Sequence, residues 1–115
     1  ALMNALLGAM GKGDIGTHFP DTDPVFEGAS SAGLLRHVLR LMQEGGFGIV
    51  NADVTVLAER PRLAPHFDAI KARVAALLGV SELVVNLKAG TMEGLESIGE
   101  GRAVAAMAVV LVELV

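Results

Sequence analysis

Apolar and polar residues alternate with two different periods along the chain, and these periods predict its elements. The second half of the segment Phe47 to Ala58 alternates strictly, with branched apolar side chains on one side and mostly polar ones on the other. Period two and β-branched residues predict a strand there. From Ser31 onward apolar residues recur every three or four positions until Gly45-Gly46, and Ser30 or Ser31 can cap the start. This pattern predicts an amphipathic helix that covers a sheet.

The other elements are predicted by the same two periods. Ala1 to Met10 and His66 to Leu78 are typical of helices, and Leu83 to Ala89 is typical of a strand. The closing run, Ala103 to Val115, is apolar and rich in valine, which favours a buried strand, although its Ala and Met residues also fit a helix. Strands that alternate with helices indicate an α/β layer with the helices on one face of the sheet. A length of 115 residues fits a single domain, residues 1–115.

Composition excludes several classes of function. The net charge is −4 and the chain has four Phe but no Trp or Tyr, so we expect no nucleic-acid binding. The absence of cysteine excludes disulfides and thiolate metal sites within the chain. The longest apolar run has about half of the ~20 residues that a membrane helix needs. We therefore predict a cytoplasmic protein that does not enter a membrane, and one that must bind any phosphate ligand through local cations, metal ions or backbone N–H groups.

The segment Gly13 to Pro24, GDIGTHFPDTDP, lies between two predicted helices and is the first candidate site. Its glycines, prolines and three aspartates cannot bury a repeating apolar face, so it is predicted to be a loop. The carboxylates of Asp14, Asp21 and Asp23 can accept hydrogen bonds from sugar hydroxyls or bind a cation. The same composition also fits a solvated turn in which Asp and Thr side chains cap the backbone.

Two further candidate loops follow the predicted strands. Pro61 and Pro65 stiffen the loop after the first strand, where main-chain groups can recognise a flat base. A plain strand-to-helix connection is the alternative. After the second strand, Thr91 and Glu93 place a hydroxyl and a carboxylate two residues apart beside Gly90 and Gly94. These side chains can bind a phosphate oxygen and Mg²⁺ or Mn²⁺, although Thr and Glu also cap helices.

These motifs resemble the 2-C-methyl-D-erythritol 2,4-cyclodiphosphate synthase family of the non-mevalonate isoprenoid pathway. LLGA at Leu6 to Ala9, GDIG at Gly13 to Gly16 and FPDTDP at Phe19 to Pro24 carry the strongest part of the resemblance. The resemblance continues through Asn51 to His66 and Val85 to Leu95 without an obvious insertion, and it weakens after Leu95. It therefore covers most of the chain.

The resemblance implies a role for each candidate loop. Asp14 and Gly16 correspond to positions that hold ribose hydroxyls across a subunit boundary, and residues 19–23 to a loop that closes over the methylerythritol end of the substrate. The main chain of residues 58–64 corresponds to a cytosine-reading loop. Thr91 corresponds to a catalytic threonine that binds phosphate and stabilises the transition state, and Glu93 to a ligand of the divalent ion on the diphosphate. The implied substrate-binding residues are Asp14, Ile15, Gly16, Phe19, Pro20, Asp21, Thr22, Asp23, Ala58, Glu59, Arg60, Pro61, Arg62, Leu63, Ala64, Gly90, Thr91, Met92 and Glu93.

The implied activity is that of a lyase that cyclises a cytidine diphosphate substrate. In 4-diphosphocytidyl-2-C-methyl-D-erythritol 2-phosphate the 2-phosphate attacks the β-phosphorus and expels CMP, a reaction that depends mainly on orientation and charge neutralisation. The resemblance also implies a zinc ion, Mg²⁺ or Mn²⁺ on the diphosphate, and a small mixed β-sheet with helices on one face. It further implies a homotrimer whose sheets face the threefold axis, located in the bacterial cytoplasm or the plastid stroma.

The chain departs from the family pattern in several places. The family's zinc is held by an Asp-x-His and a further His that would precede Ala1, and His18, His37 and His66 do not reproduce that spacing. We therefore expect the chain to be an N-terminally truncated synthase domain that is inactive without those ligands. Asn4 replaces an Asp, Gly90 replaces a Thr, and residues 96–102 reverse a charge pair of the family, with Glu100 and Arg102 expected to pair between subunits.

Two alternatives of other classes stay open. The chain can be a non-catalytic trimeric remnant that binds cytidine nucleotides without turnover. It can also be a general α/β interaction domain. The remnant would bind cytidine nucleotides and the interaction domain would not. Only the enzyme would turn the substrate over.

Overall fold

The computed structural model describes residues 1–115 as a three-stranded sheet with five α-helices. The helices are α1 (Leu2–Ala9), α2 (Ile15–His18), α3 (Ser31–Gly45), α4 (Phe67–Leu78) and α5 (Glu96–Gly99). The strands are β1 (Phe47–Leu57), β2 (Val85–Gly90) and β3 (Ala105–Leu114). Short 3₁₀ turns occupy Pro24–Phe26, Ala64–His66 and Glu82–Val84.

The sheet is mixed, with strand order β2-β1-β3. β1 pairs parallel with β2, with Ala52 opposite Val85, and the connection between these two strands runs through α4. β1 pairs antiparallel with β3, and the register shifts between Ile49 and Asn51. The predicted small mixed sheet is therefore confirmed, and its two parallel strands end at the same edge.

One face of the sheet is covered by helices and carries the core. α3 lies against β1, α4 against β2, and α1 against β3. Alternation places Ala52 of β1 and Val85 of β2 on this face, and both are buried. The fully or nearly buried residues are Leu6, Leu7, Phe19, Leu35, Val38, Met42, Ala52, Ala75, Leu78 and Val85. The predicted period-two pattern of β1 thus separates a core face from an open face.

The longest helix begins and ends where its sequence predicts. The Ser30 hydroxyl oxygen accepts a hydrogen bond from the Gly33 N–H at 3.1 Å and caps α3. Gly46 ends the helix with φ of 75°, a left-handed conformation that favours glycine. Leu35, Val38 and Met42 of α3 are buried, as the apolar face of the helix requires.

The prediction that Ala103 to Val115 forms a buried strand was wrong in its burial. β3 is a strand, but it lies at the edge of the sheet and only one of its faces meets the helices. Met107, Val109 and Leu111 alternate onto the open face and are more than half exposed. The run is apolar on both faces, so the sequence pattern could not distinguish burial within one chain from an exposed apolar surface.

Short turns change the predicted ends of two elements, and two short helices were not predicted. The Ser81 hydroxyl oxygen accepts a hydrogen bond from the Leu83 N–H at 3.2 Å and caps a 3₁₀ turn, so β2 begins at Val85. A second 3₁₀ turn precedes α4, which begins at Phe67. None of the helices combines the length and apolar character needed to cross a bilayer.

Candidate functional site

A cavity lies at the edge of the sheet where β1 and β2 end. It encloses about 260 Å³. Its lining comes from the end of β1 and the loop that follows, and from the end of β2: Val56, Ala58, Glu59, Pro61, Arg62, Leu63, Ala64, Ala89, Gly90 and Thr91. The carboxyl edge of parallel strands is where open α/β sheets commonly bind ligands.

The loop after β1, residues 58–66, contributes most of the cavity wall. The Ala58 N–H donates a hydrogen bond to the Gly90 carbonyl at 3.1 Å, which continues the pairing of the two strands by one residue. The chain then leaves the sheet through the cis peptide bond between Arg60 and Pro61. All the predicted base-reading residues from 58 to 64 line the cavity except Arg60.

The loop after β2, residues 91–95, carries Thr91 into the same cavity. Its Met92 and Gly94 N–H groups both donate to Oε1 of Glu59, at 3.0 and 3.2 Å. The Glu93 N–H donates to the Thr91 hydroxyl oxygen at 3.3 Å. Met92 and Glu93 are not part of the cavity lining, and the side chain of Glu93 is exposed.

The segment Gly13 to Pro24, here called the aspartate-rich turn, contains the short capped helix α2. Asp14 caps α2, and its Oδ1 accepts from the Thr17 N–H and the Thr17 hydroxyl, both at 2.9 Å. These hydrogen bonds from Thr17 hold the pKa of the Asp14 carboxyl below its usual value. The Ile15 N–H donates to Oδ1 of Asn4 at 2.8 Å, so α1 fixes the start of the turn. Asp14 and Gly16 are exposed.

The rest of that turn lines a second cavity of about 510 Å³. Phe19 is buried between Phe26 and His37, with ring centroids 5.2 and 5.3 Å away and nearly perpendicular rings. The lining is Phe19, Pro20, Asp21, Asp23, Phe26, Glu27, Gly28 and Leu34. Within one chain, therefore, two of the three predicted regions share a cavity, and the aspartate-rich turn lines a different one.

The comparisons with known proteins cover the aspartate-rich turn and both strand-end loops. The profile of the YgbB family matches residues 1–113. The chain is 52% identical over 112 residues to a protein of Desulfosudis oleivorans named 2-C-methyl-D-erythritol 2,4-cyclodiphosphate synthase, covering 97% of this chain and 67% of the relative. This chain belongs to the cyclodiphosphate synthase family.

Two solved structures support the assignment at the level of the fold. The bifunctional IspDF of Campylobacter jejuni matches with a TM-score of 0.94 and 37% identity, over 99% of this chain and 31% of that one. The CDP complex of IspF from Plasmodium falciparum matches with a TM-score of 0.87 and 30% identity, over 99% of this chain and 68% of that one. The family resemblance predicted from the motifs is confirmed.

The zinc ion expected of the cyclodiphosphate synthase family does not fit the side chains of residues 1–115. No group of three or more His, Cys, Asp or Glu side chains comes together in the fold. The Nε2 atom of His18 is hydrogen-bonded to the Lys12 carbonyl at 2.7 Å, and His37 packs against Phe19. Mg²⁺ needs fewer protein ligands than zinc, because it is bound by one or two carboxylates together with substrate phosphates. A single exposed carboxylate such as that of Glu93 is enough for such a site.

The departures from the cyclodiphosphate synthase pattern have simple structural accounts. Asn4, which the resemblance implies replaces an Asp, offers an amide oxygen, and that oxygen accepts the Ile15 N–H. A side chain at Gly90 would meet Leu57 at 3.3 Å. Glu100 and Arg102 were expected to pair between subunits, but they form an ion pair with each other within one chain; both are more than half exposed, so the pair stabilises the fold little.

The sequence reasoning missed the side-chain role of Glu59. That residue was expected only as part of a main chain that reads cytosine, yet its carboxylate holds the loop that carries Thr91. Its partners lie 33 and 35 residues away. No local signal reveals such a contact, and only the parallel pairing of β1 with β2 brings it about.

Proposed function

We propose that this domain converts 4-diphosphocytidyl-2-C-methyl-D-erythritol 2-phosphate into 2-C-methyl-D-erythritol 2,4-cyclodiphosphate with release of CMP. The observation that carries the proposal is that the loop after β1, residues 58–66, and Thr91 line one cavity, in a chain 52% identical to a named synthase. The CDP bound to the Plasmodium falciparum relative supports a cytidine diphosphate ligand.

In this proposal the chain positions the reacting groups. Main-chain groups of residues 58–64 bind the cytosine, and the Thr91 hydroxyl donates a hydrogen bond to a phosphate oxygen beside them. The 2-phosphate oxygen then forms a bond to the β-phosphorus, while the bond from that phosphorus to the bridging oxygen breaks and CMP leaves with the electron pair. Holding the attacking oxygen in line removes most of the entropic barrier to this step.

Charge neutralisation accompanies that positioning. Arg62 lines the cavity, and in this proposal its guanidinium group lies near the diphosphate. Glu93 would hold Mg²⁺ or Mn²⁺ together with substrate oxygens, and that ion would supply further positive charge to the phosphates. Both sources are local, which accounts for an acidic protein that binds a polyphosphorylated substrate.

The aspartate-rich turn enters the proposal through a homotrimer. Asp14, Gly16 and residues 19–23 lie away from the cavity of their own chain, so they would complete the cavity of a neighbouring copy. The open face of β3 supports such an assembly because its apolar side chains are more exposed than a solvated strand normally allows. Cytoplasm or plastid stroma is the location that goes with this function.

Trimer formation is tested with one charge on that face. Val109 is 72% exposed on β3, and Val109→Asp should convert trimers to monomers in sedimentation velocity. Leu83 is 93% exposed but lies in the 3₁₀ turn Glu82–Val84, so Leu83→Asp is the matched control and should leave the mass unchanged. Trimers that persist in Val109→Asp would exclude this face as the contact.

The function is tested on the protein that carries this domain by calorimetry and turnover. We expect CDP to bind more tightly than UDP, and the cytidine diphosphate substrate to yield CMP when divalent metal ions are supplied. Thr91→Ala should lower kcat by about 10²-fold or more, as for loss of a transition-state donor, while Thr91→Ser retains most activity. CDP binding without turnover would favour the non-catalytic alternative, and no cytidine nucleotide binding would contradict the proposal.

A further inference from the structure

We infer that Glu59 is a positioning residue that holds the loop carrying Thr91, and with it the diphosphate, in place beside the wall assigned to the base. The inference rests on the proposed function. Glu59 lines the cavity that is assigned to cytosine, and its side chain reaches the loop after β2. One oxygen, Oε1, accepts hydrogen bonds from the Met92 and Gly94 N–H groups at 3.0 and 3.2 Å. A single half-buried carboxylate therefore joins both walls of the site.

The conformation of the second loop explains why such a clamp is needed. Glu93 has φ of 53°, in the left-handed region that residues with a side chain rarely adopt, and Gly94 follows with φ of 79°. Without a partner, residues 92–94 would relax toward more common conformations. Hydrogen bonds from two N–H groups to an ionised carboxylate are among the stronger polar contacts in proteins, so they can hold this turn.

The loop is also packed from behind by backbone. A Cβ placed on Gly99 would lie 2.2 Å from the carbonyl carbon of Gly94, so α5 leaves no space on that side. The loop is thus held between the Glu59 carboxylate and the Gly99 backbone. Thr91, whose hydroxyl accepts the Glu93 N–H at 3.3 Å, is positioned by this arrangement.

The position of the carboxylate has an electrostatic consequence that makes the inference testable. Glu59 places a negative charge close to the proposed diphosphate, so its charge alone disfavours CDP. If charge were its main effect, removing Glu59 would tighten CDP binding. If positioning is its main effect, removing Glu59 weakens CDP binding even though a repulsive charge has been lost. Glu59→Gln separates the two effects because the amide oxygen can still accept both N–H groups without the charge.

The experiment measures cytidine and CDP binding by calorimetry in the whole protein with Mg²⁺. We expect Glu59→Ala to weaken CDP binding by about tenfold, as for lost hydrogen bonds to a charged group, and to leave cytidine binding within about twofold. Glu59→Gln should bind CDP at least as well as the unaltered protein. Glu44→Ala removes an exposed acidic residue of α3 and is the charge control, with no change expected for either ligand.

A measurement without ligand tests the hydrogen bonds from Met92 and Gly94 to Glu59 directly. Amide hydrogen exchange at Met92 and Gly94 should become faster in Glu59→Ala and stay slow in Glu59→Gln, whatever the ligand of the site proves to be. CDP binding that is unchanged or tighter in Glu59→Ala would overturn the inference, as would equal losses for cytidine and CDP. Failure of the unaltered protein to bind either ligand would overturn the proposed function, and with it the part of the inference that concerns the ligand.

Discussion

Replacing Gly99 by alanine tests how tightly the Thr91 loop is held. The added methyl group would lie 2.2 Å from the Gly94 carbonyl carbon and 2.8 Å from its Cα. Because both contacts are to backbone, no side-chain rotation can relieve them. An ordinary contact begins at about 3.4 Å, so the loop or α5 must move by roughly 1 Å.

The expected cost follows from that displacement. Overpacking of this kind destabilises a protein by about 1–3 kcal/mol. Alanine gains up to about 1 kcal/mol over glycine within a helix, which offsets part of the cost. We therefore expect Gly99→Ala to lower the free energy of unfolding by about 1–2 kcal/mol and to weaken CDP binding, because Thr91 moves with the loop.

Urea unfolding and CDP calorimetry measure the two effects, and Gly8 of α1 supplies the control. A Cβ on Gly8 has no atom within 4 Å, so Gly8→Ala should raise stability by up to about 1 kcal/mol and leave CDP binding unchanged. If Gly99→Ala were as stable as Gly8→Ala and bound CDP normally, the loop could not be held as tightly as its contacts indicate.

Two further predictions concern polar contacts outside the cavity. The Lys88 ammonium donates a hydrogen bond to Asp53 at 2.7 Å and, with Asn86, lowers the pKa of the Asp53 carboxyl below 3.8 in the folded chain. The ionised carboxylate therefore stabilises the fold above pH 3.8, and this stabilisation is lost as the pH falls through the folded pKa. Urea unfolding between pH 5 and pH 2 should consequently show a shallower loss of stability in Asp53→Asn than in the unaltered protein, and identical slopes would refute this. Asn4→Ala removes the acceptor of the Ile15 N–H and should cost about 1 kcal/mol in thermal unfolding, whereas Asn4→Asp keeps an acceptor and should cost much less; equal losses would show that the contact is unimportant.

The regular elements could be predicted because their signals are local. Alternation in β1, the Ser30 cap and the Gly46 terminus of α3 each depend on neighbouring residues, and the structure confirms them. The short helix α2 was missed because four residues cannot show a period, and its stability depends on Asp14 and on the distant Asn4. The burial of β3 was mispredicted because an apolar run does not say what covers it.

The site could be predicted in part for the same reason. Thr91 and the proline-braced loop were recognised from residue types at strand ends, and the parallel pairing of β1 with β2 brings them to one cavity. The clamp by Glu59 depends on a contact across that pairing, which no short motif records. How the aspartate-rich turn contributes to a cavity depends on how copies of the chain assemble, so its role in a neighbouring copy's site stays a prediction.

A crystal structure of the protein with CDP tests most directly whether the two strand-end loops form one nucleotide site. We predict that cytosine lies against the main chain of residues 58–64, that the diphosphate contacts the Thr91 hydroxyl, and that the Asp14 turn of a neighbouring copy approaches the ribose. CDP bound elsewhere on the chain, or bound with its phosphates directed away from Thr91, would contradict the proposed site.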